Sequence, residues 1–292
     1  MPMYKNVQVI ANPAAGQDQP VLKILNHVFK EQDVDWNIAV THQKGDGAEL
    51  ARQAVANGAD LIVAYGGDGT VGDVAAGLME SDVPLAILPG GTANALATGL
   101  GISQNLEAAA GQIFTSTASP LDMGEANGEK FILRADMGLT VQALASREMK
   151  DRLGILSYVT STIEALGNSP QIHFKMTIDN QSYEADGIAC IITNHNALGT
   201  MGLNFGPNVD PSDGLLDVFV VGSAGEALSA VASRLIQLQE DATVGLHQWQ
   251  GSTIQINADP VQLFGLDGDE AGETPMKTRV LHHAIRVLIP NT

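Results

Sequence analysis

The stretch Leu61 to Met79, LIVAYGGDGTVGDVAAGLM, decides how the rest of the chain is read. Leu61 to Tyr65 is rich in β-formers. Gly66, Gly67, Asp68, Gly69 and Thr70 then break it, and small residues at helical spacing follow, which predicts strand, tight turn and helix. Glycines at such a turn let backbone N–H groups crowd a ligand at the helix N-terminus, where unpaired donors and the positive dipole end favour a phosphate. Asp68 would repel that phosphate unless a cation lay between them, so a magnesium–nucleotide site accounts for it. A plain βα turn capped by Asp68 or Thr70 accounts for the spacing equally well.

Upstream, Val7 to Ala11 reads as a strand breaking into Asn12-Pro13-Ala14-Ala15-Gly16, with a helix over Pro20 to Phe29. Trp36 to Thr41 is a second strand. Gly45-Asp46-Gly47 leads into a helix that stops at Gly58. Downstream, Pro84 to Leu88 is a strand, and Pro89-Gly90-Gly91-Thr92-Ala93-Asn94 opens another helix. Strands alternating with helices predict an α/β domain with a doubly wound, mainly parallel sheet over residues 1–122. In such a sheet the loops at Asn12, Thr41, Gly66 and Pro89 converge on one edge, although short βα loops also use glycine for geometry alone.

The chain has 292 residues and a formal charge of −18, with 45% apolar and 16% charged residues. That is a globular composition, and its charge argues against nucleic acid and repels anionic lipid at long range. The one cysteine, Cys190, sits in the apolar run GIACIIT and reads as strand packing. The N-terminal stretch MPMYKNVQVIANP has no apolar core of signal-peptide length, and no uncharged apolar run reaches about 18 residues. A soluble cytoplasmic protein is expected.

After Asp122 the texture changes. KFILRADMGLT, IHFKMTID, GIACIITN, LLDVFVVG, STIQINA and AIRVLIP read as strands between turn residues, so residues 123–292 are predicted to form a mainly antiparallel β domain. Helical stretches at Arg152 to Leu166 and Ala224 to Leu238 interrupt it. Two acidic constellations stand out. Asp210, Asp213 and Asp217 in GPNVDPSDGLLD supply hard oxygen ligands for magnesium or calcium, or form an Asp-Gly hairpin turn. LDGDE, residues 266–270, supplies a carboxylate able to take a proton from an alcohol, or forms a solvated turn. His282 and His283 are adjacent, so on a regular strand they point to opposite faces and cannot grip one ion. Arg147, Lys150 and Arg152 face a phosphate or lipid headgroup, or begin a solvated helix.

NPAAG at Asn12, GGDGT at Gly66, LPGGTANALA at Leu88, RLGILSY at Arg152, GPNVDPSDGLLDV at Gly206 and LDGDE at Leu266 together resemble the diacylglycerol kinase catalytic family. The likeness is greatest to soluble bacterial lipid kinases, which share a fold with NAD kinases. The resemblance covers essentially the whole chain. It implies an α/β domain followed by a β-sandwich domain, with ATP and lipid meeting between them. It carries over Thr41, Gly66, Gly67, Asp68, Gly69, Thr70, Val71, Gly72 and Thr92 as nucleotide contacts, with Asn94 beside them. Asn12, Pro13 and Gly16 belong to a further loop at that site. The resemblance also implies a Mg2+ site at Asp213 and the backbone carbonyls of Asp210 and Leu215, and a general base at Asp267 or Asp269.

Two departures are visible. The glutamate usual after the motif glycine is Asp269 here, one methylene shorter, and Glu270 follows it. Gln17 stands where some relatives carry a lysine, leaving magnesium and backbone dipoles to offset phosphate charge. The expected activity is ATP- and Mg2+-dependent phosphorylation of a lipid with a free hydroxyl, with transient peripheral membrane contact and an open oligomeric state. A NAD kinase and a catalytically weakened nucleotide-binding regulator are the rivals. No GxxxxGK[ST] string supports a Walker-type ATPase.

Overall fold

The computed structural model describes residues 4–15, 19–138, 170–195, 209–223 and 246–291. The expected helices at 152–166 and 224–238, the basic stretch at 147–152 and Gly16 lie outside them. The described residues divide by internal packing into two units: 4–122 with 283–291, and 123–195 with 209–282.

The first unit alternates β1 (Asn6–Ala11), α1 (Val21–Glu31), β2 (Asp35–Val40), α2 (Asp46–Ala56), β3 (Leu61–Gly66), α3 (Asp68–Leu78) and β4 (Leu85–Pro89), then α4 (Ala95–Gly99) and α5 (Leu106–Gln112). The strand order β2-β1-β3-β4 is parallel throughout. Every residue of β3 and β4 is buried, as expected of parallel strands covered on both faces. Helix α3 buries Val71, Val74, Ala75 and Leu78, a spacing of three, one and three that forms a single helical stripe.

β5 (Ser116–Ala126) carries the chain into the second unit. There it continues through β6 (Glu129–Phe131), β7 (Arg134–Gly138), β8 (Ile172–Ile178), β9 (Gln181–Gly187), β10 (Ala189–Thr193), β11 (Leu216–Val221) and β12 (Leu246–Gly251). β13 (Thr253–Asp259), β14 (Leu263–Leu266), β15 (Asp269–Glu273) and β16 (Met276–Pro290) complete it. One antiparallel sheet runs β12-β11-β10-β7-β14-β15. It packs on the β9-β8-β13 strands and the first half of β16 through a core that includes Phe174, Ile256, Met276, Met137, Ile192, Val218 and Phe264. This is the antiparallel β-sandwich. Cys190 is buried in it, and burial raises its thiol pKa.

Two expectations are corrected. Residues 283–291 do not stay with the second domain: Val287 pairs in parallel with Leu85 of β4, and Ile285, Val287 and Leu288 are buried in the first unit. Alternation along an extended strand also fails at the histidine pair. His283 has φ +50°, and its amide donates to Asp122 Oδ1 at 2.6 Å, so the opposite-face argument does not hold there.

Candidate functional site

The strand order of the first unit reverses direction between β1 and β3. In open α/β sheets that reversal leaves a crevice at the carboxyl ends of the strands, where ligands bind. Asn12 follows β1 directly. Its amide donates to Tyr65 O at 3.0 Å, its Nδ2 donates to Thr70 Oγ1 at 3.1 Å, and its Oδ1 accepts from Ala14 N at 2.9 Å. Thr41, at the end of β2, is buried and donates through its amide to Ala11 O at 2.9 Å. The loop after it is braced by the Asp46 carboxylate, which accepts from the amides of His42 and Gln43. Those amides lower the Asp46 pKa.

The loops after β3 and β4 touch through glycine. A Cβ on Gly91 would lie 2.5 Å from Gly67 Cα, and one on Gly66 would lie 2.5 Å from Thr70 Cβ. Gly90 N donates to Gly66 O at 2.9 Å. Among the described residues no atom comes within 4 Å of a Cβ added to Gly69. The first amides of α3, from Asp68 to Thr70, have no acceptor within the helix and form the N-terminal donor set an anion requires. Pro13 and Thr92 are exposed at the rim, and Gly72 is half-buried on α3.

Three predicted contacts turn out to brace the site. Val71 is buried and its amide donates to Gly67 O, so neither its side chain nor its amide is offered to a ligand. Asn94 adopts φ +47°. Its Oδ1 accepts from Gly91 N at 2.8 Å, while Nδ2 donates to Gly91 O and to Gln104 Oε1, both at 3.0 Å. It therefore folds the loop with a side chain committed on both ends. Asp68 Oδ1 accepts from Leu96 N at 3.1 Å, so Asp68 caps α4, an arrangement that neither reading of its spacing contained.

In the second unit, Asp267 and Gly268 have φ +50° and +96°, forming the two-residue turn between β14 and β15. Two consecutive positive φ values are the mark of a type I′ hairpin, which Asp-Gly favours. Although Asp267 as a residue is half-buried, its carboxylate is enclosed: Oδ2 accepts from Ile132 N at 2.8 Å, and Oδ1 from Leu133 N and Arg134 N, each at 2.9 Å. Burial raises its pKa, and the three amides oppose the rise. Asp269 and Glu270 are both exposed and face opposite ways. Asp269 pairs with Leu266 in a row that reaches Ala135, whereas Glu270 pairs with Gly265 in a row that reaches Asp136. The register shift falls beyond Glu270, so it does not bring the two to one face.

The implied metal loop is a pair of side-chain-capped turns. Asp210 Oδ1 accepts from Ser212 N and Oγ at 2.9 and 2.8 Å, and Asp213 Oδ1 accepts from Leu215 N at 2.9 Å. Each aspartate has its second oxygen outside these turn bonds, and the local backbone adds carbonyls, a donor set that suits a hard cation. Asp217 nearby is buried, and burial raises its pKa against the hydrogen bonds from Gln248 and Gln250.

Sequence reading missed the Arg134–Asp136 pair. Arg134 Nε donates to Asp136 Oδ2 at 2.9 Å, while Asp136 Oδ1 is buried without a hydrogen-bond partner among the described residues. Burial raises the Asp136 pKa, and Arg134 opposes it. The period of two in RADM was the available signal, since it puts both side chains on one face.

The family described as diacylglycerol kinase catalytic domain matches residues 6–126, and the YegS C-terminal NAD kinase β-sandwich-like domain matches residues 136–289. A Staphylococcus aureus strain JH9 protein named "Putative lipid kinase" is 28% identical over 249 residues, 83% of this chain and 81% of its own. A Synechocystis protein is 28% identical over 98% of this chain and 70% of its own length. The crystal structure of a Bacillus anthracis protein described as a "putative diacylglycerol kinase" is 30% identical and superimposes with a TM-score of 0.82, covering 99% of this chain and 97% of that one. Among the described residues no helix is long and apolar enough to cross a membrane. With both domain families matched in order along the chain, the protein belongs to the diacylglycerol kinase catalytic-domain family, a family of lipid kinases.

Proposed function

We propose that the protein transfers the γ-phosphate of ATP to the hydroxyl of a diacylglycerol-like lipid, with Mg2+. The observation that carries this reading is the β1/β3 crevice, where the Asn12 loop and the glycine turn at Gly67 are joined by the Asn12–Thr70 hydrogen bond beside the open amides of α3. Those amides bind phosphate oxygens, and Gly69, lacking a side chain, lets the backbone approach them. Thr41 and Thr92 line the nucleotide loops, while Val71 and Asn94 keep them in shape.

Asp269 acts as the general base. It is exposed, whereas both oxygens of Asp267 already accept backbone amides and Glu270 faces the other way. As the lipid hydroxyl oxygen bonds to the γ-phosphorus, the bond to ADP breaks and Asp269 takes the hydroxyl proton. Asp213 and the carbonyls of Asp210 and Leu215 would hold a magnesium ion that supports this part of the second unit. Magnesium carried with the nucleotide supplies electrostatic neutralisation of phosphate charge. Asp68, with one oxygen on Leu96, would turn its other oxygen to that magnesium, because a carboxylate facing bare phosphate is repelled.

Incubation with radiolabelled ATP, Mg2+ and a panel of diacylglycerol, sphingoid-base and phosphatidylglycerol vesicles tests the assignment. Labelled lipid that disappears with chelator and in Asp269→Ala is the expected result. No labelled lipid from any member of the panel despite ATP binding, or NADP formed in a coupled assay with NAD, overturns it.

A further inference from the structure

The second unit holds a depression of about 440 Å3 on the outer side of β16, β13 and β8. Lys277 and Arg279 are exposed there, alternating with the buried Met276 and Thr278. Register fixes their neighbours: Lys277 lies opposite Gln255, which lies opposite Thr177, while Arg279 lies opposite Thr253. Directly paired residues share a sheet face, so a cation, an amide and a hydroxyl stand in one row across three strands.

The charge of this surface runs against that of the molecule. Glu125 on the wall is matched by Arg279 Nε at 2.9 Å and Lys130 Nζ at 3.8 Å. The Lys277 ammonium has no acceptor among the described residues. Among the residues that line the depression two cations, Lys277 and Arg279, therefore face one carboxylate, Glu125, in a chain with fifteen basic residues and a formal charge of −18. An anion finds a locally favourable site on a protein that otherwise repels it.

The walls are also set in advance. Asn127 and Gly128, with φ +49° and +92°, form a tight turn whose Asn127 Oδ1 accepts from Lys277 N at 2.9 Å. Asp179 and Asn180, with φ +45° and +69°, form a second, and the Asp179 carboxylate accepts from the amides of Ser252 and Thr253. Asn180 and Gln255 bring neutral amide groups to the lining. Two cations with amide and hydroxyl groups beside them suit a compact dianion bearing hydroxyls, and the volume matches a headgroup-sized molecule.

We propose that this depression binds a phosphomonoester, through Lys277 and Arg279, as a site built entirely from the second unit and distinct from the LDGDE hairpin, which lies on the other sheet of the sandwich. The same chemistry is presented by the headgroup of an anionic lipid such as a phosphatidate and by a soluble phosphate ester. Occupation of this site does not require phosphoryl transfer, so it stands or falls independently of the kinase assignment.

The test uses the full chain with a non-hydrolysable ATP analogue held at saturation, so that the nucleotide loops do not contribute. Glycerol 1-phosphate, inorganic phosphate and glycerol are titrated by calorimetry against wild type, Lys277→Gln and Lys277→Gln/Arg279→Gln, with circular dichroism verifying the fold of each. Sedimentation with phosphatidylcholine vesicles, with and without phosphatidate, forms the second arm. Saturable ester binding is expected, weakened about tenfold or more by Lys277→Gln, further by the double substitution and by salt, and absent for glycerol. Vesicle retention that needs phosphatidate and falls in the same variants assigns the site to a lipid headgroup. Loss of ester binding in the variants with unchanged vesicle retention assigns it to a soluble ester. No saturable binding to esters or phosphatidate vesicles, glycerol binding as well as its phosphate, or binding indifferent to Lys277→Gln overturns the proposal.

Discussion

Asn12 Nδ2 donates to Thr70 Oγ1 at 3.1 Å, tying together two residues 58 apart in the chain. The bond holds the loop after β1 against the first turn of α3, which is where the proposed nucleotide phosphates are received. We predict that Asn12→Ala weakens ATP affinity about tenfold, the equivalent of one hydrogen bond of about 1–1.5 kcal/mol. Thr70→Val should do much the same, and the double variant should be no worse than either alone, as measured by calorimetry. Fully additive losses would show that the two side chains act separately.

Asp267 and Asp269 should part company under substitution. Asp267→Ala strands three amides around an enclosed space and is expected to lower stability by about 3–5 kcal/mol in denaturant unfolding. Asp269→Ala removes an exposed side chain and should cost far less stability than Asp267→Ala, yet slow phosphoryl transfer by about 10²–10⁴-fold. Equal loss of transfer in a well-folded Asp267→Asn would move the base assignment to Asp267.

The two faces of the glycine turn should also respond differently. Gly91→Ala drives a methyl group to 2.5 Å from Gly67 Cα, and the loops must spread at a cost of about 1–3 kcal/mol, seen as a lower Tm. Gly69→Ala meets nothing within 4 Å among the described residues and lies in α3, so the fold should gain about 0.5–1 kcal/mol. Its cost should appear in ATP binding, because the methyl group stands where the phosphate approaches. A Gly69→Ala protein that binds ATP normally would place the phosphate elsewhere.

Burial lowers the His195 pKa to about 4, against an ordinary value of 6.5. The unfolded chain therefore takes up this proton first as pH falls. His195 contributes stability that is complete above pH 6.5 and is lost progressively toward pH 4, by up to about 3 kcal/mol. Asp136 works in the opposite direction, since its raised pKa makes the folded state the better proton acceptor in acid. Imidazole NMR should show His195 neutral at pH 5. Urea unfolding of wild type should lose more stability between pH 6.5 and 5 than His195→Gln does.

Much of the first unit was legible because its signals are local. LIVAYGG reads as strand and turn because a parallel strand buried on both faces is apolar throughout, and α3 announces itself by its stripe. What remained hidden depends on partners far along the chain. The Leu96 amide that Asp68 caps is 28 residues away, and the amides that enclose Asp267 are 133 to 135 residues away, so no spacing rule reports either. AIRVLIP was recognisable as a strand, but its hydropathy carries no record that Val287 would choose Leu85 as its partner. The positive φ at His283 likewise arises in a residue type that gives no warning of it.

β4 waits for that last strand. During synthesis residues 6–89 can lay down β2-β1-β3-β4, but the neighbour of Leu85 is Val287, which leaves the ribosome about 200 residues later. Until then the parallel sheet carries an unprotected flank, open to pairing with other chains. Loss of residues 283–291 would leave that flank bare for good, and aggregation, ahead of lost catalysis, would be its first symptom.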